Sequence, residues 1–385
     1  CSDKPGSINK CLGIFLIESR ILSLIIPFFF SSKARILLLP LNLKLSSTFT
    51  NIKLILDNSK RRLYFYQMIK VGVIGAGHLG KIHLNILSTS DFDLVGFYDT
   101  DVSNSQKLAL EKDYVFFKEL HTLLNSIDAA IIVSPTTTHF EIAKKCIENG
   151  IHVFVEKPLT TNSKEAKIIK KLADEKNIVG QVGFVERYNQ AFISCREFIN
   201  KPKFIESHRL SDFNPRGTDV SVIMDLMIHD IDIILNINQS KVKKIDASGV
   251  SIISSTPDIA NARIEFENGC IANLTSSRIS LKKMRKTRVF QEDAYVSINF
   301  LEKDFQVVKI RDKNSNECEE SLVIKNNIGE EKVIFFEKPE IVEINSIEAE
   351  LNDFLYSIKI NSDCNVSLND GLMSLEISEE IMIQL

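Results

Sequence analysis

Three features of specialised proteins are missing from this 385-residue sequence: a CxxC cysteine pair, an internal repeat and a low-complexity tract. No apolar run reaches the roughly 20 residues that a membrane-spanning helix needs. The seven cysteines are scattered. That pattern favours reduced, mostly buried thiols in a cytosolic protein over a disulfide framework. The formal net charge of −3 gives no sign of a nucleic-acid-binding protein.

The composition, 44% hydrophobic and 25% charged, is that of a globular protein long enough for two domains. Residues 1–67 differ from the rest, because they hold ten Lys or Arg against three Asp or Glu. The first methionine is Met68, where a β-branched strand begins. We predict that residues 1–67 are upstream sequence read in frame or a poorly ordered extension. A membrane anchor built on Leu12–Ile17 and Ile21–Phe30 is the alternative.

From Met68 to about Tyr188, six short apolar runs alternate with helical stretches. This alternation implies right-handed crossovers and a parallel, doubly wound sheet over residues 68–187. After Tyr188 the apolar and polar residues alternate and some connections are short. Residues 188–385 are therefore predicted to form an α/β domain with a mostly antiparallel, open sheet. Its expected strands are Val250–Ser254, Ala262–Phe266, Ala272–Ser277, Ala294–Asn299 and Phe305–Ile310.

A glycine-rich turn, Gly75-Ala-Gly77-His-Leu-Gly80, follows the first of these strands and opens a helix. This context is the one that a dinucleotide-binding fingerprint requires, with a tight turn, a close backbone approach to pyrophosphate and close helix packing. Asp99 ends the next strand and is placed to accept hydrogen bonds from the adenosine ribose. Asp101 adds a second negative charge and no Lys or Arg follows directly. The sequence thus favours NAD over NADP.

Lys157, in Glu156-Lys157-Pro158, follows the fifth predicted strand. Ligands of parallel sheets bind beyond the carboxyl ends of the strands, so this lysine is expected to face the cofactor crevice. A half-buried lysine there can have a lowered pKa and take part in proton transfer. The alternative is an ordinary surface lysine before a turn proline.

Asp225 and His229 are four residues apart and are predicted to share one helical face with Asp232. A histidine beside a carboxylate suits general acid–base chemistry. Two alternatives stay open: a metal site made of these three residues, and a histidine that is simply part of the core. No further His or Cys at ligand spacing lies nearby, so no metal is expected.

Four segments in order resemble the Gfo/Idh/MocA family of NAD(P)-dependent oxidoreductases. They are VGVIGAGHLGKIH (71–83), SPTTTHFEIAKKCIENGIHVFVEKPLT (134–160), GFVERYNQAF (183–192) and DLMIHDIDI (225–233). The resemblance covers Met68 to the C-terminus and leaves residues 1–67 unmatched. It implies a Rossmann NAD-binding domain over 68–187 and a C-terminal substrate and oligomerisation domain over 188–385.

The same resemblance implies the site. Lys157, His229 and Asp225 correspond to the family's catalytic residues, with the substrate hydroxyl losing its proton to His229. Asn189 corresponds to part of the substrate wall. The implied cofactor-binding residues are Gly75, Gly77, His78, Leu79, Gly80, Asp99, Ser134, Pro135, Thr136, His139, Glu156 and Lys157.

Met227 stands where sugar and inositol dehydrogenases of the family commonly have glycine. The DLMIHDIDI form resembles a subgroup that acts on nucleotide sugars, including UDP-N-acetylglucosamine. We therefore expect a cytoplasmic homo-oligomer that oxidises a secondary hydroxyl of a sugar or nucleotide sugar. A polyol dehydrogenase, a keto-sugar reductase and a non-catalytic cofactor-binding regulator are the alternatives. The basic cluster at 282–288 and Arg278 are weak candidates for contacting a diphosphate, and a solvated loop is the simpler interpretation of that cluster.

Overall fold

The computed structural model describes residues 52–57, 62–214, 220–312, 321–325, 327–329, 331–337 and 341–385. The chain divides into two compact units, residues 1–69 and 70–385. In the first unit, β1 (Ile52–Asp57) and β2 (Arg62–Gln67) form an antiparallel hairpin that the sequence did not predict. The two apolar runs considered for a membrane anchor lie outside the described residues. No helix of the described segments is long and apolar enough to cross a membrane.

A six-stranded parallel sheet occupies the first part of the second unit, with strand order β5-β4-β3-β6-β7-β8. Its strands are β3 (Lys70–Ile74), β4 (Asp93–Tyr98), β5 (Phe116–Phe117), β6 (Ala129–Ile132), β7 (His152–Glu156) and β8 (Gly180–Gly183). The helices between them are α1 (His78–Leu87), α2 (Val102–Lys112), α3 (Leu120–Leu124), α4 (His139–Glu148) and α5 (Ser163–Lys176). The central strands are fully buried, as expected where helices cover both faces. The chain order reverses between β3 and β6, and ligands bind outside such a switch point.

A nine-stranded sheet follows, with order β10-β11-β12-β9-β13-β14-β15-β17-β16. All its pairings are antiparallel except that of β12 with β9. The strands are β9 (Phe204–Leu210), β10 (Val242–Val250), β11 (Ile259–Phe266), β12 (Ile271–Ser277), β13 (Met284–Phe290), β14 (Ala294–Asn299), β15 (Asp304–Asp312), β16 (Ser321–Lys325) and β17 (Glu331–Glu337). On β14, buried Ala294, Val296 and Ile298 alternate with half-buried residues, which is the pattern of a sheet covered on one face.

The helices of this second region are α6 (Gln190–Cys195), a π-helical turn (Ile223–Met227) that runs directly into α7 (Ile228–Ile237), α8 (Ser346–Ile360) and α9 (Leu368–Ile383). Short 3₁₀ turns also occur, at Thr136–Thr138, Val185–Tyr188 and Arg196–Phe198. The last helix packs back onto the parallel sheet. A Cβ on Gly371 would lie 2.7 Å from Val182 Cγ2, and Ser163 N donates to Glu379 Oε1 at 2.8 Å. The C-terminal segment therefore completes the core of the first sheet.

The predicted fold class, a doubly wound parallel sheet followed by a mostly antiparallel one, is confirmed. The predicted division at residue 187 stays a prediction, because residues 70–385 form one compact unit. The strand predicted at Val250–Ser254 is wrong. The strand ends at Val250, and the next residues curl around Asp258, whose Oδ2 accepts from the backbone nitrogens of Ile252, Ile253 and Ser254.

Candidate active site

The glycine turn between β3 and α1 uses its three glycines differently. Gly75 has a φ of +102°, and a Cβ there would lie 2.7 Å from Ser134 N. A Cβ on Gly80 would overlap the carbonyl oxygen of Gly75. Nothing lies within 4 Å of the Cβ position of Gly77. Glycine is therefore required at 75 and 80 by conformation and close packing, while at 77 it leaves the backbone open to a ligand.

The N-terminus of α1 faces this open space. Gly77 is the N-cap, and no side chain of the described residues caps the helix there. His78 and Leu79, in the first turn, are exposed. The free backbone N–H groups and the positive end of the helix dipole can bind an anionic group such as a pyrophosphate.

Asp99 lies against the same turn. Its Oδ2 accepts from Ala76 N at 2.6 Å and its Oδ1 from Asp101 N at 2.8 Å. Asp101 in turn caps α2, and hydrogen bonds from the backbone and side chain of Asn104 lower the pKa of its carboxyl group. Two carboxylates thus stand at the end of β4, the position where dinucleotide-binding folds hold the adenosine ribose.

The segment after β6 contacts the turn Glu156–Lys157–Pro158, here called the lysine turn, through His139. This buried ring lies with Nδ1 2.9 Å from Pro158 O and Nε2 2.9 Å from Ser134 O. Both nitrogens are therefore engaged with the backbone; the role of His139 in binding the cofactor stays a prediction, and these contacts favour a positioning role. Pro135 is exposed and Thr136 half-buried, so the outer part of the segment stays accessible.

Lys157 projects from the end of β7, and its peptide bond to Pro158 is cis. Its Nζ donates to the backbone oxygen of Asp225 at 2.8 Å and lies 3.5 Å from Asp225 Oδ1. The lysine side chain is 20% exposed and that of Asp225 46%. Burial lowers the pKa of Lys157, although the charges of Asp225 and Glu156 act in the opposite direction. Two predicted catalytic residues, one at the end of β7 and one in the π-helical turn before α7, thus meet.

His229 follows Asp225 across the π-helical turn that the sequence did not predict. Its ring packs edge-on against Phe184 with centroids 6.0 Å apart, and its Nδ1 is buried without a hydrogen-bond partner among the described residues. Burial, followed by the positive charges of Lys157, Arg209 and Arg285, holds the pKa of His229 well below its usual value. The imidazole is therefore neutral at physiological pH and can accept a proton.

A buried ion-pair network supports this histidine, and the sequence analysis missed it. Arg209 donates to both oxygens of Asp230, at 3.1 and 3.0 Å, and its Nη1 to Glu186 Oε1 at 2.9 Å. Arg285 Nη1 shares that glutamate oxygen at 3.2 Å and remains 48% exposed. Glu186, Asp230 and Arg285 stood in segments that the sequence marked, but nothing in the sequence paired them. Arg209 lies on β9, a strand that was not predicted.

Models of known families match both regions of the chain. Residues 69–184 match the oxidoreductase family with an NAD-binding Rossmann fold, and residues 199–297 match the GFO/IDH/MocA C-terminal domain. UDP-N-acetylglucosamine 3-dehydrogenase from Acidithiobacillus ferrooxidans is 35% identical over 234 residues, covering 60% of this chain and 74% of the relative. The scyllo-inositol 2-dehydrogenase (NAD⁺) of Bacillus subtilis is 30% identical over 55% of this chain and 68% of the relative.

The chain belongs to the Gfo/Idh/MocA family. It is an NAD(P)-dependent oxidoreductase acting on CH–OH groups. A crystal structure of the Acidithiobacillus ferrooxidans enzyme superimposes with a TM-score of 0.75 at 28% identity, covering 83% of this chain and 98% of that one. Apo scyllo-inositol dehydrogenase from Lactobacillus casei shares the fold, with a TM-score of 0.66 at 20% identity over 83% of this chain and 96% of that one.

The residues of this family member fit a nicotinamide dinucleotide. The open Gly77 backbone, the uncapped start of α1 and the carboxylate of Asp99 form a cradle of the right chemistry for pyrophosphate and ribose. Glu156 lies beside Lys157 at the strand end, with its Oε2 3.3 Å from Lys157 N. These residues would hold the cofactor, and Lys157 and His229 would face its reactive end.

Two of the residues predicted for the site are engaged elsewhere. Asn189 is buried and caps α6; its Nδ2 donates to Phe300 O at 2.9 Å and to Glu186 Oε2 at 3.2 Å. Its role in a substrate wall stays a prediction, and these contacts favour a structural one. Asp232 is buried in a bidentate pair with Arg187, at 2.7 and 3.0 Å. Since Asp232 is committed to this pair, the contacts do not support the three-residue metal site considered with His229 and Asp225.

The basic cluster at 282–288 is not a loop, because Met284–Phe290 forms β13. Thr287 and Val289 on this strand are buried, and Arg285 shares their face and turns towards Glu186. Arg288 lies on the other face and pairs with Glu206 at 2.8 Å. Arg278, the other candidate, is buried and donates to Val220 O. Only Arg285 of these arginines is half-exposed beside His229.

Proposed function

We propose that this chain oxidises a secondary hydroxyl of a nucleotide-linked sugar, similar to UDP-N-acetylglucosamine, to a ketone with NAD. The observation that carries the proposal is the contact of Lys157 with Asp225 at the carboxyl end of β7, with His229 near enough for the lysine charge to lower its pKa. A lysine of lowered pKa and a neutral imidazole are the groups that alcohol oxidation needs. Similarity to the 35%-identical UDP-N-acetylglucosamine 3-dehydrogenase supports the substrate class.

In this mechanism His229 acts as the general base. Its pKa is held well below the usual value, so the ring is unprotonated and takes the hydroxyl proton. Lys157 donates a hydrogen bond to the same oxygen and stabilises the negative charge that develops there. Asp225 fixes the lysine through its backbone oxygen and its carboxylate. Bound nicotinamide supplies the hydride acceptor.

The preference for NAD over NADP rests on two carboxylates. Asp99 lies against the glycine turn, and Asp101 stands two residues later with a lowered pKa that keeps it charged. A 2′-phosphate placed beside them would be repelled, whereas ribose hydroxyls can donate to Asp99. The cofactor is therefore proposed to be NAD.

The choice of a nucleotide sugar over a polyol rests on Arg285 and Met227. Arg285 is half-exposed on the site side of β13 and can pair with a phosphate. Met227 occupies the position where sugar and inositol dehydrogenases of the family commonly have glycine. An inositol or polyol dehydrogenase is the second candidate, supported by the 30% identity to scyllo-inositol 2-dehydrogenase. A cytoplasmic homo-oligomer stays part of the proposal by family resemblance.

The proposal is tested with the purified full chain by following NADH absorbance with UDP-N-acetylglucosamine, free N-acetylglucosamine, myo-inositol and scyllo-inositol, each with NAD and with NADP. We expect the highest kcat/KM for UDP-N-acetylglucosamine with NAD. Higher kcat/KM for an inositol would move the assignment to the second candidate. Equal turnover by Lys157→Ala would overturn the catalytic assignment itself.

A further inference from the structure

A group of three titratable side chains lies at the Glu156–Lys157–Pro158 turn, and only Glu156 among them was assigned to the cofactor site above. His83 comes from α1, Glu156 from the end of β7 and Glu350 from α8. One nitrogen or oxygen of each lies within 4.8 Å of the others. His83 and Glu350 have no solvent exposure, and the side chain of Glu156 is 13% exposed. Solvent therefore contributes little to stabilising charge here.

Glu156 is supplied with hydrogen-bond donors. His83 Nε2 lies 3.1 Å from Glu156 Oε1, a distance at which the Nε2–H tautomer donates to a carboxylate. Lys157 N donates to Glu156 Oε2. A Cβ on Gly183 would lie 2.9 Å from that same oxygen, so the carboxylate is closely confined. These contacts suit an ionised Glu156.

Glu350 differs from Glu156 in its hydrogen bonding. Neither of its carboxyl oxygens has a hydrogen-bond partner among the described residues. His83 and Glu156 lie within 4.8 Å of it, and Tyr188, also near, gives its hydroxyl hydrogen to Asp353 at 2.6 Å. Burial, together with the negative charge of Glu156, raises the pKa of Glu350 well above its usual value.

We propose that Glu350 is held as a neutral carboxylic acid beside the Glu156 carboxylate, so that the buried pair carries one negative charge and, with His83, positions the Glu156–Lys157–Pro158 turn. Glu350 is thus a positioning residue. A second ionised carboxylate at this place would be buried without a compensating donor, which is strongly unfavourable. The proposal on charge stands independently of the substrate; only the positioning of Lys157 rests on the proposed function.

The test compares Glu350→Gln, Glu156→Gln and the control Glu348→Gln, an exposed residue on the same helix. Glutamine mimics a neutral acid, so Glu350→Gln is expected to keep kcat and KM for NAD within about twofold at pH 7. Glu156→Gln removes the charged member and is expected to lower kcat or raise KM for NAD about tenfold. Glu348→Gln should change neither.

The pH dependence of unfolding gives a readout that needs no substrate. In the wild type, the folded state keeps Glu350 protonated while the unfolded state ionises it above about pH 4.5. Stability is therefore lost as pH rises from there towards the raised pKa. Glu350→Gln has no such group to ionise. Between about pH 4.5 and the raised pKa of Glu350, the ratio of its folding equilibrium constant to that of the wild type should therefore rise about tenfold per pH unit. Glu348→Gln should run parallel to the wild type.

Three results would overturn the proposal. The first is a stability difference between Glu350→Gln and the wild type that does not change with pH above about 4.5, which would show an ionised Glu350. The second is a divalent ion retained stoichiometrically by the wild type and lost in Glu350→Gln. The third is failure of both Glu350→Gln and Glu350→Leu to fold, which would mean that the carboxylate itself is required. If the stability result is as expected but no substrate is turned over, the proposed function fails and the charge assignment stands.

Discussion

The two sheets of this oxidoreductase position their functional groups in different ways. The parallel sheet does so through turns at strand ends: the glycine turn after β3, Asp99 after β4 and Lys157 after β7, with Lys157 held in addition by Asp225 from a distant segment. The antiparallel sheet does so through buried charges from distant segments, as in Arg209 with Asp230 and Glu186. Local turns can be recognised in a sequence, whereas ion pairs between distant segments need the folded chain.

The largest effect is expected at the lysine supplied by the parallel sheet. Lys157→Ala should lower kcat by about 10²-fold or more, the scale of acid–base catalysis, with NAD binding nearly unchanged. Steady-state kinetics and an NAD titration measure the two quantities. Lys164→Ala, an exposed lysine on α5, is the control. A normal kcat for Lys157→Ala would remove the parallel sheet's contribution to the chemistry.

His229, on α7, is the predicted general base of the site. His229→Asn should lower kcat by a similar factor of about 10². Because burial holds the pKa of His229 well below its usual value, the wild-type kcat/KM should not decline as pH falls through 6.5, the usual pKa of a histidine, and should decline only well below it. His121→Asn, on exposed α3, should leave the profile unchanged. An acid limb near pH 6.5 or above in the wild type would contradict a neutral buried base.

The cofactor turn is expected to show an intermediate effect. Asp99→Ala should raise KM for NAD about tenfold and reduce discrimination against NADP. The substitution removes the oxygens that would accept hydrogen bonds from the ribose hydroxyls, and also the hydrogen bond from Ala76 N. Kinetics with both cofactors check this. Unchanged NAD/NADP selectivity would assign Asp99 to loop structure alone.

Arg285 tests the contribution of the second sheet, because β13 and the ion pair with Glu186 position it rather than a turn. Arg285→Met should raise KM for a UDP-sugar about tenfold or less and leave KM for unphosphorylated sugars unchanged. Arg288→Met, on the other face of the strand, is the matched control. Equal effects on charged and uncharged substrates would refute a phosphate contact.

The smallest effect is expected from removing residues 1–67. A chain beginning at Met68 keeps every predicted site residue, so its kcat and KM should match those of the full chain within about twofold. Parallel assays of both proteins test this. A loss of activity in the shorter chain would show that the first unit contributes to function.

The sequence predicts the parallel sheet well, because each of its strands is a short apolar run and each turn carries its own signal. The six strands of this sheet lie between Met68 and Tyr188, where six apolar runs were expected. The sequence does not predict β13. Four of the first five residues of this strand are Met, Lys or Arg, and its strand conformation depends on long-range pairing with β9. The π-helical turn before His229 and the position of Glu350 beside Glu156 likewise depend on packing between distant segments. No local sequence pattern indicates such packing.

The most direct test of the account is a crystal structure of the full chain with NADH and UDP-N-acetylglucosamine bound. The account predicts the nicotinamide ring at the carboxyl end of β7, with one sugar hydroxyl oxygen within hydrogen-bond distance of both Lys157 Nζ and a ring nitrogen of His229. A nicotinamide ring out of reach of both groups, or a dinucleotide bound away from Gly77, would contradict it.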